Sequence, residues 1–191
     1  MEAILEAAAQ VFERDGFAAG TTNRIAERAG VSIGSLYQYF PNKDAILVAL
    51  ARHHMAEGAT MLLPIVSRLN EGEPWEEVLP GIVEAMVALH AVAPMLHRAL
   101  FEESRLPGEL REEMVALEDA MVDVSEQALI ADPTIEVRDT RVVASVMVNA
   151  IEGLTHRLVL RPPPGVSIEA ISTEITRMVR AYLLAAQQAG A

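Results

Sequence analysis

Cysteine is absent from the 191 residues, which excludes disulfide frameworks, thiolate zinc sites, iron–sulfur clusters and cysteine nucleophiles together. Nothing then argues for an oxidising compartment, and a cytoplasmic location is the expectation. Aromatic residues make up only 4 % of a chain that is 51 % hydrophobic. The apolar share is carried by Ala, Leu, Val, Met and Ile, a mixture suited to helices packed on helices. Glu, Arg, His or Pro interrupts every apolar run well short of the roughly 18 residues that suggest a membrane span. The opening stretch, MEAILEAAAQVFERDGF, carries acids where a signal peptide carries positive charge. No membrane partner is expected.

Positive charge is also scarce. Fifteen basic residues stand against 27 acidic ones, a net charge of −12, which taken alone speaks against a polyanionic partner. The deficit is uneven. Residues 1–47 carry Arg14, Arg24, Arg28 and Lys43 against six acids, a net charge of −2, and the remainder carries −10. If any part meets nucleic acid, it is the amino-terminal part, through few cations helped by hydroxyls and helix ends.

What is present is helical spacing almost everywhere. Ile4, Leu5, Ala8, Val11 and Phe12 form one apolar stripe that Gly16 stops, and Phe17 can fold back on the last turn. Two short helices are predicted over residues 22–29 and 33–40, and a long one from about Asn42 to Asn70 that must accommodate Pro64. Pro74, Pro94 and Pro107 stand where further helices start, while Pro80 interrupts or kinks the segment 75–91. Two longer patterns, 136–160 and 167–189, are split by Arg161, three prolines and Gly165. The expected fold is all-α with nine helices. A three-helix domain carrying a helix-turn-helix (residues 1–47) precedes a six-helix ligand-binding and dimerisation domain (48–191).

The informative segment is TTNRIAERAGVSIGSLYQYFPNK, residues 21–43. Two short helices crossing steeply through a tight turn need a small residue where they touch and a glycine in the turn. Ala26 and Gly30 supply these. Ile25 and Ala29 give the first helix its buried face, Leu36 and Phe40 give the second its own, and Val31 plugs the turn. With Leu36 inward, a step of about 100° per residue turns Gly34 and Gln38 outward and puts Ser35, Tyr37 and Tyr39 on the flanks. Ile33 opens this reader helix, with Ser32 as its cap. Gly34 permits close approach, Ser35 and Gln38 can bond base edges, and the two tyrosines can reach phosphates. Thr21 and Thr22 cap the preceding helix, whose free N–H groups suit a phosphate. Lys43, the chain's lone lysine, opens the next helix, where the macrodipole prefers acids. A phosphate grip would explain it. Taken singly, a surface tyrosine or serine needs no ligand; the ordered combination carries the reading.

That ordered pattern, a Thr pair, Ile-Ala, Ala-Gly-Val-Ser, Leu-Tyr-x-Tyr-Phe and Asn-Lys, resembles the DNA-binding domain of the tetracycline-repressor (TetR) family of bacterial transcriptional regulators, over residues 1 to about 47. The resemblance implies an all-helical homodimer that binds a palindromic double-stranded operator, usually to repress, and senses a small-molecule effector through its carboxy-terminal domain. It places phosphate contacts on Thr21, Thr22, Tyr37, Tyr39 and Lys43, and base readers on Asn23, Arg24, Ser35 and Gln38. Many members carry a basic arm before the first helix, whereas this sequence starts directly at Met1-Glu2.

Further along, two helices are apolar on more than one side: Val143, Met147, Ala150, Ile151, Leu154 and Leu158 in one, Ile168, Ile171, Ile175, Met178, Tyr182 and Leu183 in the other. Such helices must bury two faces, and a copy of the chain can cover the second. Val143, Met147, Ala150, Ile151, Gly153, Leu154, Leu158, Ile171, Ile175, Met178 and Tyr182 are therefore the expected dimer interface. Gly153, costly in a helix by about 1 kcal/mol against Ala, fits a close crossing there; the other reading is a loose spot in the chain's own core. Methionine lines sites that fit varied apolar shapes, and also simply fills cores. Met61, Met86, Met95, Met114 and Met121, with the polar His90, His97, Asn149 and Glu152 and the ring of Phe101, form the expected effector site, each with an ordinary packing role as its alternative.

Enzyme signatures are missing. The five histidines show no HExxH or zinc-finger spacing, and no GxSxG or phosphate-cradling glycine loop occurs. No cofactor or metal is expected. Two readings without operator binding stay open: a small-molecule binding protein, which the acidity favours, and a helical interaction module.

Overall fold

The computed structural model describes residues 1–92, 94–99 and 107–188, the side chains of Met95 and Leu96 excepted. Among these residues the chain is helical without strands: α1 Glu2–Ala19, α2 Thr22–Ala29, α3 Ile33–Tyr39, α4 Lys43–Asn70, α5 Trp75–Ala91, α6 Pro94–Arg98, α7 Gly108–Ala131, α8 Thr140–Leu160 and α9 Ile168–Gln188. They fall into two compact units. The first comprises Met1–Glu57 with Ala93–Arg111, the second Gly58–Val92 with Glu112–Ala191. Residue 47, the expected domain boundary, lies inside α4.

In the first unit, α1 turns Ile4, Ala8, Val11 and Phe12 inward, onto Ile25 of α2, Leu36 of α3 and Ile46, Leu47 and Leu50 of α4. Gly16 breaks the helical path of α1 at φ 75°, ψ 167°, a conformation essentially reserved for glycine. Helix resumes for a turn to Ala19, and the Phe17 ring folds edge-on to Phe12 at 5.3 Å. Each short helix is closed by its own residues. The Thr21 hydroxyl accepts from the Arg24 N–H at 3.3 Å and the Ser32 hydroxyl from the Ser35 N–H at 3.0 Å. Between them Gly30, left-handed at φ 68°, ends α2 while the Val31 N–H bonds the Ala26 carbonyl at 3.0 Å. This is the bond pattern that satisfies orphan carbonyls at a helix end.

In the second unit α5, α8 and α9 pack against one another. Their shared core is Val78, Leu79, Val83 and Met86 of α5, Val143, Ala144, Met147 and Ile151 of α8, and Ile171, Ile175, Val179 and Leu183 of α9. Arg68 closes the α4–α5 turn by donating from Nε and Nη2 to Glu73 Oε2, at 2.9 and 2.5 Å. The 136–160 pattern becomes helical only at Thr140, because the Asp139 carboxylate caps the Val142 N–H at 3.1 Å. By length and composition alone α8 is apolar enough to cross a membrane; one of its faces packs in the core of this unit.

Five residues expected at a dimer interface prove to be core. Val143, Met147, Ile151, Ile171 and Ile175 are buried within their own unit. Leu154, Leu158 and Tyr182 are half-buried and pack on the same core. The second apolar face exists, displaced around each helix. On α8 it runs through Val142 (53 % exposed), Val146 (42 %), Ala150 and Gly153; on α9 it runs through Met178 (40 %), Ala181 and Leu184 (46 %). A Cβ on Gly153 would meet nothing within 4 Å, so the chain's own packing does not require glycine there.

Candidate nucleic-acid interface

Buried Leu36 sets the rotation of α3, and everything else on that helix follows. Tyr37 and Tyr39 stand 49 % and 57 % exposed, Ile33 38 %, and Gly34 and Gln38 also face outward, while Ser35 is half-buried. The Ser35 hydroxyl lies 2.8 Å from that of Ser32, so these two hydroxyls hold each other at the start of the helix. The Tyr37 hydroxyl lies 3.1 Å from the Thr22 hydroxyl of α2. Two residues expected on phosphates thus converge from different helices.

They converge on a groove. Gly20, Thr21, Thr22, Tyr37, Pro41, Asn42 and Lys43 line a cavity of about 300 Å³. Its walls present hydroxyls, an amide and one ammonium, donors suited to an anionic oxygen. Gly20 is there because a Cβ would come within 2.6 Å of the Phe12 ring. Gly20, Pro41 and Asn42 were not foreseen as site residues. Asn42 caps α4, its side-chain oxygen accepting the Ala45 N–H at 2.8 Å, and that cap chemistry before an apolar run was the available signal.

The two cations behave differently from expectation. Lys43 is not simply held out for a phosphate: Nζ donates to the Phe17 carbonyl at 2.6 Å and lies 4.1 Å from the centre of the Phe17 ring. The carbonyl end of α1 attracts the positive charge, which explains the lysine without any ligand, although the side chain still lines the groove. Arg24 is paired with Asp15 of α1 at 3.1 Å, and Asp15 is also held by Arg14, at 2.8 and 2.9 Å. Asn23 is exposed beside it.

The expected effector residues fall in both units. His97 is buried on α6 in the first unit, its ring edge-on to His54 at 4.9 Å. In the second unit, buried His90 donates through Nδ1 to the Met86 carbonyl at 2.7 Å, and its ring lies 6.1 Å from that of His156, perpendicular to it. Met86 is core, Met121 packs against that core, and Met114 is half-buried. Met61 and Asn149 are exposed, and the Asn149 amide donates to the Ser145 carbonyl of its own helix at 3.0 Å; neither is drawn into a core. Glu152 is exposed by area, yet desolvation raises its carboxyl pKa, opposed by His156 and reinforced by Glu118. Phe101 and the Met95 side chain lie outside the described residues.

Two short capped helices joined by a left-handed glycine, with a polar outer face on the second, define a helix-turn-helix protein. Residues 4–50 match the family described as bacterial regulatory proteins, tetR family, and residues 74–183 match the tetracyclin repressor-like C-terminal domain. The chain belongs to the tetR family, a family of regulators rather than enzymes.

Among curated relatives, the nucleoid occlusion factor SlmA of Haemophilus influenzae is 27 % identical over 145 residues, 73 % of this chain. This chain spans 65 % of that relative's length. Two solved structures share the fold. FadR of Bacillus subtilis in complex with stearoyl-CoA is 20 % identical with a TM-score of 0.71, covering 93 % of this chain and 96 % of its own. AibR in complex with isovaleryl coenzyme A and operator DNA is 22 % identical with a TM-score of 0.71 and the same coverage.

Proposed function

We propose that this chain is a ligand-responsive transcriptional regulator of the cytoplasm, a dimer that binds double-stranded operator DNA through residues 21–43 and leaves it when a small hydrophobic effector binds. The observation that carries the reading is the convergence of Thr22 and Tyr37 on the groove they share with Thr21 and Lys43. Residues 1–47 are the DNA reader, and the carboxy-terminal part senses the effector and dimerises. Asn23, Ser35, Gln38 and the freed face of Gly34 meet base edges, while the threonines and tyrosines meet phosphates. AibR, crystallised with both an acyl-CoA and operator DNA, supports testing acyl thioesters first as effectors. The two readers of a dimer would sit about 34 Å apart, or a multiple of that.

The test is selection of duplexes from a random-sequence pool with the full chain, followed by footprinting. A dyad-symmetric site, released by a long- or branched-chain acyl-CoA, is the expected result; selection of no sequence overturns the reading. The exposed face of α8 and α9 serves the dimer. Val146→Glu is expected to convert the dimer to a monomer in light scattering and to weaken binding of the selected site, and an unaltered dimer would place the interface elsewhere. At Gly34 a Cβ would meet only the Ser32 Oγ, at 3.7 Å, so Gly34→Ala should stabilise the chain by up to about 1 kcal/mol. The same change weakens DNA binding if the reader helix approaches the groove floor closely; equal affinity for the selected duplex removes that role.

A further inference from the structure

The amino-terminal 47 residues have four basic side chains with which to meet a polyanion, and two of them share one acid. Asp15 takes Arg14 at both carboxylate oxygens, at 2.8 and 2.9 Å, and Arg24 at 3.1 Å on one of them. The Gly16 break immediately after it, at φ 75° and ψ 167°, ends the straight run of α1 at this carboxylate, where Arg24 reaches it from the first turn of α2. Both arginines remain more than half exposed, at 53 % and 61 %, while Asp15 is only 16 % exposed. The acid is thus covered by its partners. The hydrogen bond from Arg14 lowers its pKa, ahead of opposing desolvation and the pull of both arginines, so it is charged throughout the neutral range. Two residues on, the Phe17 carbonyl holds Lys43, so a single turn of α1 engages three of the four cations.

An exposed ion pair contributes only about 0–1 kcal/mol to folding, which makes stability a poor explanation for this arrangement. Its effect on DNA is larger, because affinity for duplex grows with each cation available to a phosphate, at about 0.9 of a salt exponent per contact. We propose that Asp15 is an affinity-attenuating and specificity-determining residue: by compensating Arg14 and Arg24 it suppresses sequence-independent attraction to DNA and leaves discrimination to the hydroxyl and amide groups of α2 and α3. This rests on the DNA-binding reading above. In a reader whose net charge is already −2, this carboxylate limits how far its few cations act on the backbone.

The test titrates the full-length wild type and Asp15→Asn against a short random-sequence duplex and against the duplex selected by the wild type, over a series of salt concentrations. Asp15→Asn is expected to bind the random duplex roughly three- to tenfold tighter at low salt, with a salt exponent steeper by about one. The ratio of selected to random affinity falls accordingly. The gain disappears in Asp15→Asn/Arg24→Gln, which separates charge release from any change in packing. Asn at this position also leaves the fold readable by circular dichroism: a merely structural role would weaken both duplexes at an unchanged salt exponent, and that result overturns the proposal. Equal affinities and exponents for Asp15→Asn and wild type overturn it as well, while leaving the DNA-binding reading intact. If the wild type retains no duplex, that reading falls first and this one with it.

Discussion

Tyr37→Ala is expected to abolish retention of an operator duplex while leaving folding and self-association unchanged. The side chain is half exposed and its hydroxyl is held 3.1 Å from that of Thr22, so the tyrosine arrives at a phosphate already oriented and loses little freedom on binding. A hydrogen bond to a charged group is worth about 1.5–3 kcal/mol, or about tenfold or more per subunit, and a dimer loses it twice. Tyr37→Phe isolates the hydroxyl: it keeps the ring and should still lose at least about tenfold per subunit. Gel shift on the selected site measures the binding, and circular dichroism confirms the fold. Normal retention by Tyr37→Ala would mean that the groove it lines does not meet DNA.

The largest effect on stability is expected at Phe12. Its ring is fully buried, stands edge-on to Phe17 at 5.3 Å and leaves no room for a Cβ on Gly20. Phe12→Ala should cost about 3–5 kcal/mol, because the apolar side chains packed around the ring relax only partly into the cavity left behind. That is comparable with the whole stability of many domains. The loss propagates to the site, since the Phe17 ring that leans on Phe12 is the one beneath the Lys43 ammonium. Denaturant unfolding measures it; a loss below about 1 kcal/mol would show that α1 is not the wall it is taken to be.

How much of the candidate site was legible depends on the range of the interaction involved. α2 and α3 could be read almost to the residue. Thr21 and Ser32 cap their own helices and Gly30 is the left-handed stop, all through partners within five positions, and the spacing of Ile25, Ala26 and Leu36 marks the inner faces. The exposed setting of Gln38 followed from Leu36 alone. Lys43 could not be read in this way: its partner lies 26 residues earlier on the end of another helix. Arg24 and Asp15, nine residues apart, meet only after the chain turns at Gly16. On α8 and α9 the periodicity announced two apolar faces without saying which turns inward. The stripe through Val143 and Met147 is paired with one through Val142 and Val146 only a step away, and α5 settled the choice by packing on the first.

From its residues alone the chain determined its class, the place of its reader and the absence of cysteine chemistry. Composition, capping and helical periodicity act over a turn or two and need no knowledge of what lies across the core. Only the tertiary structure decided that Asp15 and the carbonyl end of α1 hold the scarce cations, that five apolar residues of α8 and α9 are consumed internally, and that the groove beside Tyr37 is built from three helices. Those outcomes depend on which surfaces are brought together after the helices form, and local spacing does not encode that approach.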